Sequence, residues 1–178
     1  KKELLDQTKN LNHEFLASEI PYTMNPGGPN HEELACLSGV TDYYETLYSH
    51  HFTEQGLNLH EKGKKVFELI YSYEETLIKT LIEFLKLKKN VRLIGKTSHS
   101  RSERMPTVSF TVKDKSSLEI AKAAGKNQIG IRNGEFYAWR CLKGLGIEPN
   151  DGVVRVSMVH YNNIEEVNRL IDFLDTIL

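Results

Sequence analysis

A chain of 178 residues is long enough for one domain with its own core, or for a small domain with an appendage. With 39% hydrophobic residues, 26% charged residues and a net charge of -1, it has an ordinary globular composition and lacks the Lys/Arg excess of a dedicated nucleic-acid binder. No apolar run approaches the roughly 20 residues a bilayer span needs, and no apolar stretch follows Lys1-Lys2-Glu3-Leu4-Leu5-Asp6 as a secretory signal would require.

Residues 1–18 read as a weak helical or irregular lead. The first residue is not methionine and falls in a helix-like stretch, so the expectation is either a trimmed terminus or a missing upstream domain. Residues 19–30 hold three prolines and the pair Gly27-Gly28 and must form a loop. Asn30, with Glu33 three residues on, predicts a capping box. The helix behind it spaces Leu34, Leu37, Val40, Tyr44 and Leu47 at helical intervals and ends near Phe52 to Gly56. A longer helix fits 60–87, with Val66, Leu69, Ile70, Tyr73, Leu77, Leu81 and Leu85 as its apolar stripe.

Then the period changes. Strands are predicted over 91–95, 107–112, 127–131 and 152–159, and helices over 116–125, 135–144 and 163–178. The 107–112 stretch alternates cleanly, with Val108, Phe110 and Val112 on one side. The order implies an α+β layer, a small antiparallel-rich sheet covered by helices mainly on one face, with an N-terminal helical extension. Cys36 and Cys141 stand far apart and outside metal-ligand spacing, which fits a reducing, cytoplasmic compartment.

Three features can carry chemistry. The loop Asn25-Pro26-Gly27-Gly28-Pro29-Asn30 ahead of a helix is either an anion site of backbone N–H groups or a plain turn. Arg155 interrupts an apolar strand, where a guanidinium must be paired or reach water. It is a carboxylate clamp, half of an internal ion pair, or an arginine that reaches water along an exposed face. The segment from Ile129 to Tyr137 brings Arg132 and Tyr137 to a glycine turn that can face a cleft. The histidines are isolated, apart from the adjacent pair His50-His51, which shares no helix face and makes a poor metal site. The basic run over 86–104 lacks stacking aromatics and reads as a solvated helix end and loop rather than a nucleic-acid surface.

In order and spacing, Gly27-Gly28-Pro29-Asn30, then Arg132-Asn133-Gly134-Glu135-Phe136-Tyr137, then Arg155-Val156-Ser157-Met158-Val159-His160-Tyr161-Asn162 resemble the C-terminal third of the class V aminotransferases, the group that includes the cysteine desulfurases. In that group a Gly-Thr-Pro-Asn loop, a turn Arg-x-Gly-His-His-Cys and a strand Arg-x-Ser-x-x-x-Tyr-Asn follow one another. The resemblance covers nearly the whole chain. It implies the small C-terminal domain of a fold-type-I enzyme over 59–178, with a remnant of the large cofactor domain over 1–58.

The resemblance also implies roles. Pyridoxal phosphate is the cofactor of the parent enzyme, met through its phosphate by Gly27 and Gly28 across a homodimer. An amino acid is the substrate, its α-carboxylate bound by Arg155, with Arg132 and Tyr137 alongside. Gly28 replaces the threonine of the loop, and Tyr137 replaces the cysteine that accepts sulfur in desulfurases. A phenol with a pKa of about 10 cannot take that role. The cofactor's lysine belongs upstream of residue 1, so the chain is expected to carry no catalytic residue and no covalent cofactor. A stand-alone, non-catalytic binding module derived from that domain is the alternative.

Overall fold

The computed structural model describes every residue except Pro26, so that part of the glycine loop lies outside the described residues. The chain forms two compact units, Lys1–Val66 and Phe67–Leu178, and the division falls within one helix.

The first unit contains a short helix, α1 (Lys2–Asp6), two 3-10 turns (Glu14–Leu16 and Ile20–Tyr22) and α2 (His31–His51). Asn30 caps α2 by accepting from the Glu33 amide at 3.1 Å. Only this forward half of the predicted capping box forms among the described residues, because the Glu33 carboxylate returns no bond to Asn30. The helical spacing of Leu34, Leu37 and Val40 is as expected, yet all three are more than half exposed (51%, 58% and 52%). Near the end of α2, Tyr48 is buried, and its hydroxyl donates to the Glu54 carbonyl at 2.8 Å.

Helix α3 (Leu59–Leu87) opens with a complete capping box. Asn58 Oδ1 accepts from the Glu61 amide, and the Glu61 carboxylate accepts from the Asn58 amide. The second unit holds strands β1 (Val91–Ile94), β2 (Thr107–Val112), β3 (Arg132–Gly134) and β4 (Val153–Ser157). Its helices are α4 (Ser117–Lys126), α5 (Trp139–Gly144) and α6 (Ile164–Ile177), together with the later part of α3. The sheet order is β1-β2-β4-β3, antiparallel throughout. The α+β expectation therefore holds, as does the prediction of four strands.

Alternation decides which side is core. Val108, Phe110 and Val112 of β2 and Val154 and Val156 of β4 face Leu77, Ile78, Leu81, Ile82 and Leu85 of α3, Ile120 of α4, and Val167, Leu170 and Leu174 of α6. Phe110 is fully buried there, which alone contributes about 2–3 kcal/mol. The other face carries a small cluster of Leu142, Ile147 and Val153, with Ile94 and Phe136 packed on it. The sheet is thus covered mainly on one face.

Two predicted elements shift, each for a local reason. The strand expected over 127–131 lies instead at Arg132–Gly134. Residues 127–129 are used up in ending α4, where the Gln128 amide donates to Gly125 O, the Ile129 amide to Ala124 O, and Gln128 takes φ 58°. This is a Schellman stop with a non-glycine left-handed residue. The helix expected over 135–144 begins only at Trp139, because a tight turn occupies Glu135 to Ala138.

Asp151 ties the start of β4 to the start of α4. Its carboxylate accepts from Ser116 Oγ at 2.6 Å and from the Ser117 amide at 2.9 Å. Burial pushes the carboxyl up, but the bonds from Ser116, Ser117 and Leu118 outweigh it and hold the carboxyl below the usual aspartate range. We expect Asp151→Ala to destabilise the fold by about 1–2 kcal/mol at pH 7. The figure is kept modest because Asp151 is only half-buried and water screens its charge. The folded pKa is depressed, so this stabilisation is present above the unfolded pKa and fades as pH falls through the folded one. Urea denaturation of both proteins across that range should show the gap closing in acid. Among the described residues no helix is long and apolar enough to cross a membrane.

Candidate functional site

The site is organised by β4. Alternation sends Val154 and Val156 into the core and turns Val153, Arg155 and Ser157 to the opposite face. Register then fixes the neighbours of Arg155: Ser109 directly across on β2 and Arg132 directly across on β3. Ile94 on β1 opposes Ser109, so one row across this face reads Ile94, Ser109, Arg155, Arg132.

Arg155 is half-buried, and its guanidinium carbon sits 3.9 Å from the centroid of the Phe136 ring. Such stacking contributes about 0.5–2 kcal/mol and holds the fork flat. The ring covers one face of the guanidinium, leaving its N–H donors to act in the plane. Of the readings open from sequence, the internal ion pair is not formed, since among the described residues Arg155 makes no ion pair; a carboxylate clamp and an arginine reaching water along the open face both fit this placement.

Phe136 reaches Arg155 through a strained turn. The Ala138 amide donates to Glu135 O at 2.8 Å, while Phe136 and Tyr137 take φ 49° and 61°. Positive φ at both central residues is type I′ geometry, which asparagine and glycine favour. Two ordinary side chains there cost about 1–2 kcal/mol each. Packing of Phe136 on the Leu142–Ile147–Val153 cluster and on Arg155 offsets part of that cost. Strain held in place by packing beside an unpaired arginine is a pattern met at ligand sites. Tyr137, at the tip of the turn, is fully exposed.

Gly27 and Gly28, in the first unit, have no described atom within 4 Å of where a Cβ would stand. Their backbone is open to an approaching group, and backbone N–H donors suit a phosphate. Glu32 and Glu33 in the first turn of α2 oppose an anion there.

Two clefts lie apart from the arginine row. One of about 170 Å³ runs between the Gln128–Ile131 segment, the end of β4 and α6. The other, of about 240 Å³, is lined by Glu74, Glu75, His99, Arg101 and Arg104 among others. Glu74 is 6% exposed, and His160 Nδ1 lies 3.9 Å from its carboxylate. Burial raises the Glu74 carboxyl above its usual range, and His160 only partly opposes this. A raised folded pKa means stability falls as pH rises through it. We therefore expect Glu74→Gln to gain stability relative to the parent protein at pH 8 and to lose that advantage at pH 5, read as Tm at each pH.

Part of the basic run is neutralised by ion pairs. Lys88 pairs with Asp175 at 2.6 Å, Lys96 with Glu103 at 3.4 Å, and Arg101 with Glu68. Arg92 donates to Leu145 O and Arg104 to Thr107 O. Asn162, quoted above for its motif, has structural work: it accepts from the Val159 amide, donates to Glu166 and receives the Tyr73 hydroxyl on its carbonyl. No cluster of His, Cys, Asp and Glu among the described residues could hold a metal.

Ser109 and Phe136 join Arg155 through register and packing, which no local sequence signal announces. Alternation sets Ser109 opposite Val108 and Phe110, but only the β2–β4 register pairs it with Arg155. Phe136 was hidden inside a predicted helix.

The family model for aminotransferase class-V matches residues 63–170. The aminotransferase-like protein FGM3 of Gibberella zeae is 40% identical over 119 residues, covering 66% of this chain and 30% of that protein. The cysteine desulfurase-like protein ustD of Aspergillus flavus is 32% identical, over 85% of this chain and 40% of that protein. The chain thus spans only about a third of the length of such relatives. Among solved structures, the cysteine desulfurase of Thermococcus onnurineus is 26% identical with a TM-score of 0.55, over 67% of this chain and 29% of that one. The Escherichia coli cysteine desulfurase CsdA superposes with a TM-score of 0.62 over 88% of this chain and 32% of that one, at 17% identity, and so speaks for the fold alone. With a family match over more than half its length and the fold in agreement, the chain belongs to the aminotransferase class-V family.

Proposed function

We propose that this chain is the substrate-carboxylate-binding C-terminal part of a pyridoxal-phosphate enzyme that acts on an amino acid as a cytoplasmic homodimer. The observation that carries the reading is Arg155, an unpaired, half-buried guanidinium held flat on Phe136. An arginine so placed is ready to take a carboxylate through two parallel hydrogen bonds. Class V relatives generally depend on pyridoxal phosphate, which when bound supplies the electron sink for charge developing at the amino acid's Cα.

In this reading each residue of the chain binds or orients. Arg155 holds the α-carboxylate, and Arg132 adds positive charge beside it. Ser109 flanks Arg155 from β2, and Tyr137 borders the entrance. Gly27 and Gly28 would meet the cofactor's phosphate through backbone N–H groups. The cofactor's lysine comes from outside residues 1–178. Tyr137 cannot carry sulfur, so the reaction is a transferase or lyase branch other than cysteine desulfuration.

Incubating the chain with pyridoxal phosphate, reducing with borohydride and mapping the product by mass spectrometry tests the assignment. Scattered, substoichiometric labelling is expected. A stoichiometric adduct on a single lysine would show that the chain carries its own cofactor site and contradict this reading.

A further inference from the structure

We propose that Arg132 determines specificity: it receives a second anionic group of the substrate, so the substrate class is amino acids with an acidic side chain. This rests on Arg155 binding the α-carboxylate. Arg132 and Arg155 are direct partners across the antiparallel β3–β4 pair, so both side chains rise from the same face of the sheet. Directly opposed Cβ atoms stand about 4.5–5.5 Å apart, and like charges in that position repel. Neither arginine has an ion-pair partner among the described residues. Of the other arginines, Arg92, Arg101, Arg104 and Arg169 each donate to a protein acceptor, while Arg140, away from this row, makes no ion pair among the described residues.

The two guanidinium groups are not equivalent. Arg155 is half-buried on a central strand with Phe136 stacked on it. Arg132 is exposed on the edge strand, at the rim of the sheet. One guanidinium fork takes both oxygens of one carboxylate, so a ligand seated on Arg155 leaves the donors of Arg132 unused. On its other flank Arg155 meets Ser109, a neutral hydroxyl. The row therefore has one neutral end and one cationic end, and a second anionic group finds its complement only at Arg132. A dianion would also relieve the repulsion that the facing arginines impose on the unliganded sheet.

The test uses the full chain labelled with nitrogen-15, following the Nε–Hε signals of Arg155 and Arg132 during titration with propionate and with glutarate. The expected result is a shift at Arg155 with both probes, a shift at Arg132 with glutarate, and about tenfold tighter binding of glutarate, the size of one added charge-assisted contact at an exposed position. Arg132→Gln should collapse the affinity ratio to near one, and because Arg132 is exposed the substitution leaves the core untouched. Equal affinities in the parent protein would overturn the inference while leaving the carboxylate role of Arg155 standing. So would an Arg132→Gln variant that weakens both probes by the same factor, since both arginines would then be clamping one carboxylate. No shift at Arg155 with either probe would instead sink the reading on which the inference rests.

Discussion

Gly152→Ala destabilises the second unit by about 3–5 kcal/mol, a fall in Tm of roughly 15 °C or more, and disorders the β3 edge. Gly152 takes φ 68°, and a Cβ built there would stand 2.2 Å from the carbonyl carbon and oxygen of Gly134. The obstacle is backbone, which cannot swing aside as a flexible side chain can. Gly134 closes β3 opposite Val153, so any retreat pulls β3 away from β4 and takes Arg132 with it. Gly95 is the internal control. Its φ is 84°, but a Cβ there meets nothing within 4 Å. Gly95→Ala should therefore show only the conformational cost of a left-handed alanine, about 1–2 kcal/mol. Thermal melts of the two variants side by side separate crowding from conformational preference. Similar Tm losses would mean that the close approach at Gly152 does not matter.

On the proposed reading, Arg155→Ala in an active enzyme that contains this chain should raise KM for the amino acid by about ten- to a hundredfold, the equivalent of about 1.5–3 kcal/mol for a lost charged hydrogen-bond pair. Losing the guanidinium removes ground-state as well as transition-state binding, so KM should change more than kcat. Arg155→Lys keeps the charge but loses the planar fork and its stacking on Phe136, and should recover only part of the loss. The side chain projects on the open face rather than into the main core, so the variant should keep its Tm within a few degrees. An unchanged KM with a lower Tm would mean that Arg155 is structural.

The parts of the fold that one physical signal governs were legible in the sequence. The alternation in Thr107–Val112 set the core side of β2, and the apolar stripe of α3 gave its span to within a residue. The charged interruption of β4 singled out Arg155 before any neighbour was known. The parts that failed depend on competing local signals. Ile129 and Ile131 look like strand residues and are partly buried against the core, yet the Schellman stop of α4 takes the backbone that a strand would need. Phe136 and Tyr137 carry no mark of a type I′ turn, since their own preferences oppose it. The turn is held by Phe136, which packs on Val153 and Arg155 farther along the chain. The partners that neutralise part of the basic run, Glu68 and Asp175, come from distant elements and leave no local mark in it.

The row Ser109–Arg155–Arg132 is a register fact, and register across three strands cannot be read one segment at a time. The resemblance nonetheless marked Arg132 and Arg155 together, and the sheet places them side by side.

The central claim is that Arg155 is a carboxylate receptor. Titrating the nitrogen-15-labelled chain with L-alanine, with Arg155→Ala as the reference, tests it most directly. A saturable shift is predicted at the Arg155 Nε–Hε signal and at the amides of Ser109 and Phe136, absent in the variant. Shifts confined to other parts of the chain, or the same shifts in the variant, would contradict it.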